Sequence, residues 1–192
     1  MVDTIRDGTG KGFLAAVNSD NQLVARAVSV EQRLVSALDK NYYEATTGQI
    51  TLTDAVETGI IYIENGEDLP IIIDRVFYDI WESTSGTGGG ILKYYINPTV
   101  AGGSAIVPTN TYFDSSDTLT GTFSKSLSSI SGTAWWTAYI SAGISYALEE
   151  GRIVIPKGRS FGISVIAPTG NTSMKISINI AMYLFDPLLL GR

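Results

Sequence analysis

A chain of 192 residues is long enough for one ordinary domain with an appendage, and its 44% hydrophobic content excludes wholesale disorder. The net charge is −6 and the 13 Lys and Arg are scattered singly, which excludes the clustered cations that neutralise phosphates; nucleic acid is not expected as a partner. There is no histidine and no cysteine, the usual agents of proton transfer, thiol chemistry and transition-metal capture, so a structural or binding role is expected ahead of catalysis.

Residues 1–12 carry Asp3, Arg6, Asp7 and Lys11 without an apolar run, so no secretory leader is expected. Asp7-Gly8-Thr9-Gly10 is turn material. Residues 12–17 and 22–28 read as two short strands, and Asn18-Ser19-Asp20-Asn21 between them suits a hairpin. Ser29 with Gln32 forms a possible capping box for a helix over 33–38, which competes there with a strand. Residues 1–40 are too few to bury their own core and read as an N-terminal arm, expected to lie on the main domain over 41–192 or on a neighbouring chain.

From Tyr42 onward the pattern is β. Runs at 42–46, 50–53 and 59–63 are punctuated by Thr47-Gly48 and by Asn65-Gly66, a strong turn signal. Residues 69–81 form a long run whose Ile71, Ile72, Ile73, Val76, Phe77, Tyr78, Ile80 and Trp81 leave little polar face, so cover on both sides is expected. A Gly/Ser/Thr loop at 83–90 precedes a strand at 91–96, and 98–110 reads as a longer connection. Further strands follow at 118–123, 134–140, 152–156 and 161–165. In the last run Ile176, Ile178, Ile180, Met182 and Leu184 face one way and Ser177, Asn179, Ala181, Tyr183 and Phe185 the other. The apolar stretch from 176 to 190 is broken by Ser177, Asn179, Asp186 and Pro187, too short and strand-like to cross a bilayer; a soluble chain made in a reducing cytoplasm is expected, with no membrane partner.

Eight to ten strands with short turns and no β-α-β alternation predict an all-β, jelly-roll-like antiparallel β-sandwich with an N-terminal arm. No repeat of fixed period is present.

Without histidine, carboxylates are the candidate acid–base groups. Asp74 and Asp79, five apart in one strand, should face opposite sides, and Glu149-Glu150 before Gly151 reads as a solvated turn. No catalytic residue is assigned, and the chain is not expected to be an enzyme. Asn18–Asn21 and Asp114-Ser115-Ser116-Asp117 are oxygen-rich but lack the glycine and terminal glutamate of a calcium loop, so side-chain-capped turns are expected, with no metal or cofactor. The loop over 83–90 lacks the Gly-Lys-Ser/Thr ending of a phosphate loop.

The charged fraction is 17%, against about 25% in a typical chain, and 10 Tyr accompany it, a surface suited to protein contact. Trp135 and Trp136 should face opposite ways, one in the core and one exposed, and with Tyr139 they could stack on a sugar; core plus subunit interface is the favoured reading. Leu188, Leu189 and Leu190 would be an aggregation hazard if exposed and are expected to be buried on the body or a neighbour.

Asp7-Gly8-Thr9-Gly10, Ala15-Ala16-Val17, Leu23-Val24-Ala25 and Ser29-Val30-Glu31-Gln32, followed by 46–53 and 60–65, together resemble the first half of tailed-bacteriophage virion proteins of the capsid decoration or cement type, over about residues 3–80. The resemblance implies a jelly-roll body, an N-terminal arm and self-association on the outside of an icosahedral head, and no catalytic site. It leads to the expectation of a homotrimer bound to the major capsid protein, located on the virion. Residues 3–30 are then the capsid-contacting arm, with Ile5, Arg6, Asp7, Phe13, Leu14, Leu23 and Val24 its contact residues. Tyr78, Trp81, Trp135, Trp136, Tyr139, Leu188, Leu189 and Leu190 are the expected oligomer contacts. The alternative is a tail or head fibre module that binds host-surface carbohydrate through exposed aromatics.

Overall fold

The computed structural model describes residues 5–6, 14–17, 23–24, 36–37, 39–81, 90–140, 146–170 and 174–185, with backbone alone at 5–6, 14–17, 23–24 and 146–152. The chain divides into two compact units, 1–31 and 32–192. The first holds β1 (Ile5–Arg6), β2 (Leu14–Val17) and β3 (Leu23–Val24) in one antiparallel sheet of order β1-β2-β3. Ala16 pairs with Val24 and Val17 with Leu23, the hairpin expected from the run 18–21. Of the run 33–38 only Ser36 and Ala37 are described, and they are helical.

The second unit is an all-β sandwich. Its strands are β4 (Tyr42–Thr46), β5 (Ile50–Thr51), β6 (Glu57–Asn65), β7 (Ile71–Trp81), β8 (Gly90–Ile96), β9 (Thr99–Ala101), β10 (Ser104–Ala105) and β11 (Thr109–Asn110). They continue with β12 (Gly121–Leu127), β13 (Ser129–Ser131), β14 (Ala134–Ile140), β15 (Tyr146–Ile155), β16 (Ser160–Ile166) and β17 (Lys175–Leu184). One sheet runs β10-β12-β6-β16-β8-β14 and the other β11-β4-β17-β7-β15, with β5 also on β17. Every pairing within these two sheets is antiparallel.

Take β4, β6, β7, β8, β14, β15, β16 and β17 in chain order as one to eight; the sheets then read 1-8-3-6 and 2-7-4-5. The chain crosses between sheets at nearly every step. The exception is the step from β8 to β14, where residues 97–133 are inserted and add β12 and β10 beyond β6.

Alternation of apolar and polar residues builds the core between the sheets. Ile61, Ile63, Phe161, Ile163 and Leu92 come from one sheet; Ile71, Ile73, Val76, Ile176, Ile178 and Ile180 come from the other, and all are buried in one cluster. The inward set on β17 is the one its sequence predicts: Ile176, Ile178, Ile180 and Met182.

The run at 69–81 behaves differently along its length. Ile71 and Ile73 point inward, then Val76, Tyr78 and Ile80, so the parity changes at Asp74. The cause is a bulge: Arg75 pairs with Ala181 and Ile73 with Met182, leaving Asp74 unopposed. Full cover on both faces holds only over Ile71–Asp74, whereas Arg75 and Trp81 are exposed. Asp74 and Asp79 therefore share the outward side rather than facing opposite ways, although five residues of strand still separate them by about 15 Å. Glu149 and Glu150 lie inside β15, not in a turn; the strand runs through them with irregular register opposite Asp74.

Candidate functional site

β14 and β15 are the outer strands of the two sheets on one side of the sandwich. Between them opens a pocket of about 350 Å³ whose lining includes Ile96, Trp135, Val154, Pro156, Arg159 and Phe161. Its geometry begins with the register of β14. Ala134 pairs with Tyr95 and Trp136 with Tyr94, which leaves Trp135 as a bulge residue. The bulge lets both tryptophans reach Tyr94, at ring centroid separations of 6.2 Å for Trp135 and 4.7 Å for Trp136. Strict alternation fails here for that reason. Trp136 is half-buried against the core, and Trp135 keeps 47% of its surface exposed.

Two corners fix the rest of the rim. The corner after β8 turns through Asn97, which takes the left-handed φ of 49° that asparagine tolerates. Its N–H donates to the Ser160 carbonyl at 2.9 Å, and its Oδ1 accepts from the Ser160 N–H at 3.0 Å. The corner between β15 and β16 is closed by the Arg159 N–H on the Pro156 carbonyl at 3.0 Å. Asn65 ties that corner to the core. Its fully buried amide donates to the carbonyls of Ile155 at 2.7 Å and Leu69 at 3.0 Å, and its backbone N–H donates to the Arg159 carbonyl at 3.0 Å. The sequence marked Asn65 as a turn residue; it is also the buried link between two corners, a role that spacing does not reveal.

Chemically the pocket is an apolar slot, and Arg159 is the cation among its described lining residues. Arg159 is exposed and makes no ion pair among the described residues. Nearby, Lys157 bonds the exposed Asp68 at 2.5 Å, which raises the lysine pKa and lowers that of the carboxyl. Beneath the tryptophans, burial drives the Tyr94 phenol pKa upward, so the ring stays neutral.

Three carboxylates outside the pocket, Asp74, Glu57 and Asp117, are held by structural bonds. Asp74 accepts from the Tyr42 hydroxyl at 2.6 Å, and Tyr42 stacks on Tyr183 at 6.3 Å. Burial, then the Asp74 hydrogen bond, pushes the Tyr42 phenol well above its ordinary value. Glu57 accepts from Lys93 at 2.8 Å, from Ser164 at 2.5 Å and from the Tyr95 hydroxyl. In the loop at 114–117, the Ser115 hydroxyl donates to Asp117 at 2.8 Å and accepts the Asp117 N–H at 3.1 Å, the expected capped turn. Among the described residues no three Asp, Glu, His or Cys side chains gather as a metal-binding group.

The expected contact residues fall in separate places. Ile5, Arg6, Leu14, Leu23 and Val24 lie in β1–β3 of the first unit; Asp7 and Phe13 lie outside the described residues. Tyr78 is 3% exposed and belongs to the core, so the folded chain does not offer it to a partner. Trp81, Trp135 and Tyr139 are exposed on the sandwich, Tyr139 at 82%. Leu188, Leu189 and Leu190 lie outside the described residues, as do residues 83–89 of the expected loop 83–90, whose Gly90 instead opens β8. No family model, curated protein or solved structure matches the chain.

Proposed function

We propose that this chain is a structural protein of the tailed-phage virion, a jelly-roll capsid decoration or cement protein that self-associates, with a trimer the expected state, and binds the major capsid protein. The observation that carries the reading is the division into a β-sandwich body and a separate small three-stranded unit at residues 1–31. That unit is too small for a core of its own, so it gains stability by folding onto a partner surface. The strand orders 1-8-3-6 and 2-7-4-5 support the jelly roll, with 97–133 as an insertion. Joining several arms in one oligomer raises avidity by about 10²–10⁴ over a single arm. Binding only the assembled lattice then stabilises the shell by linkage.

The test is removal of residues 1–28. The truncated protein should stay folded and oligomeric yet fail to decorate purified heads in a sedimentation assay read by electron microscopy. Saturation of heads by the truncated protein would overturn the arm assignment.

One observation favours the second reading, a fibre module for host glycan: Trp135 stands exposed beside Asn97, Arg159 and Ser160. That reading predicts specific signal on a glycan array that Trp135→Ala removes. The bulge makes Trp135, not Trp136, the ring to change.

A further inference from the structure

The sandwich has two open sides, and each carries exposed apolar residues of a different shape. On the β14/β15 side they line the pocket around Trp135, Ile96 and Val154. On the opposite side, where β10 and β11 are the outermost strands, they project: Phe113 is fully exposed and Val107 is 73% exposed. We propose that copies of this chain associate head to tail, the Phe113 turn of one copy seating in the Trp135 pocket of the next. The inference rests on the self-association part of the proposed function and adds the surfaces that make the contact.

The projecting turn is held in place before any partner arrives. The Ser115 N–H donates to the Tyr112 carbonyl at 2.8 Å, which closes a turn with Phe113 near its apex. Asn110 anchors the turn, its amide donating to the Lys40 carbonyl at 2.6 Å and its Oδ1 accepting the Tyr112 N–H at 2.9 Å. Thr111 donates its N–H to the Tyr42 carbonyl at 2.9 Å, and the Lys40 ammonium lies 5.1 Å from the Tyr112 ring centroid. The backbone that carries the ring is thus ordered before docking, and seating costs only the rotamer freedom of the Phe113 side chain.

Size and charge both match. A cavity of about 150 Å³ accepts benzene, so about 350 Å³ has room for a phenyl ring. Asp114 follows Phe113 and is exposed, while Arg159 stands exposed at the pocket mouth. Seating the ring brings an anion on one copy towards a cation on the other. Because the two surfaces differ and lie on opposite sides, the contact repeats from copy to copy and closes into a ring or runs on as a filament.

The full chain, weighed by size-exclusion chromatography with light scattering, tests this. Wild type should run as an oligomer, and Phe113→Glu and Trp135→Glu should each run as monomers. An equimolar mixture of the two variants should give a species of twice the monomer mass, because one intact pocket meets one intact turn and growth stops there. Arg159→Asp should lose the oligomer too, and adding Asp114→Arg to the same chain should restore it, because every contact then meets its opposite charge; this pair spares the Trp135–Tyr94 packing and stands if Trp135→Glu fails to fold.

An oligomeric wild type whose mass is unchanged in every variant overturns this pairing of surfaces and leaves the proposed function standing. So does a set of monomeric variants that form no dimer on mixing. If Trp135→Glu keeps its oligomer and loses a glycan-array signal, the pocket belongs to sugar and the proposal falls. A wild type that is monomeric at tens of micromolar overturns both readings.

Discussion

On the outward face of β6, β16 and β8, glycine stands at 59 and 162, and Leu127, Ile130 and Pro98 fill the space above it. On the outward face of β4, β17 and β7, Glu44, Arg75, Phe77, Asn179 and Ala181 surround an open groove of about 320 Å³. The first face is the floor of a second, smaller packed layer: Tyr62, Tyr95 and Leu127 are buried there outside the main core. The insertion at 97–133 supplies its roof through the two-stranded sheet of β9 and β13. The second face carries charge and half-exposed side chains, as an antiparallel sheet facing water does. Glycine on an outward strand position thus marks where chain lies flat on the sheet.

The sharpest way to break this comparison is an enlarging change on each face. A Cβ at position 59 would stand 2.7 Å from the Leu127 Cβ, an atom fixed to the backbone and unable to swing aside. Gly59→Val should therefore cost about 3 kcal/mol or prevent folding, read as the urea midpoint at constant slope. Pairing it with Leu127→Ala should recover only part of that loss, since alanine removes the Leu127 Cδ1 and Cγ contacts at 3.0 and 3.2 Å and keeps the Cβ. On the open face, Glu44→Tyr enlarges an exposed side chain beside the groove and should change stability by no more than about 0.5 kcal/mol. Equal losses at both positions would mean that the two faces are packed alike.

The layers of the main core were legible because they need only alternation: Ile176, Ile178, Ile180 and Met182 face inward as the period-two pattern requires. What the sequence hid lies at the bulges. One unopposed residue at Asp74 turns Asp74 and Asp79 to a common side, and another at Trp135 brings both tryptophans to Tyr94. A bulge depends on how two strands count against each other, and a single strand's pattern carries no record of its partner's count. The pocket was illegible for a related reason. Ile96, Trp135, Val154 and Arg159 come from three separate stretches that meet only once the outer strands of the two sheets are set side by side. Phe113 escaped notice because an exposed aromatic and a buried one look the same in a sequence; only the turn at Tyr112–Ser115 shows which it is.

A smaller effect is expected from the charge on the covered face, and it separates packing from electrostatics. Glu57 sits under the inserted layer's edge with Lys93, Tyr95 and Ser164 as donors. Burial alone would raise its pKa; the hydrogen bonds from Lys93, Ser164 and Tyr95 together outweigh burial and hold the carboxyl below its ordinary value of 4.5. Lys93 is raised above 10.5 chiefly by its hydrogen bond to Glu57. A carboxyl whose folded pKa is depressed adds stability that is complete above its unfolded pKa and fades as pH falls through the folded one. Glu57→Gln keeps the shape but removes the charge and leaves the Lys93 ammonium without its counter-ion, at a cost of about 1–3 kcal/mol at neutral pH. The gap between wild type and variant should hold from pH 7 to about pH 5, where carboxylates begin to protonate, and close as the pH falls further, read as thermal midpoints across the range. A gap that stays constant down to pH 3 would assign the loss to altered packing beneath the insertion rather than to the ionised carboxylate.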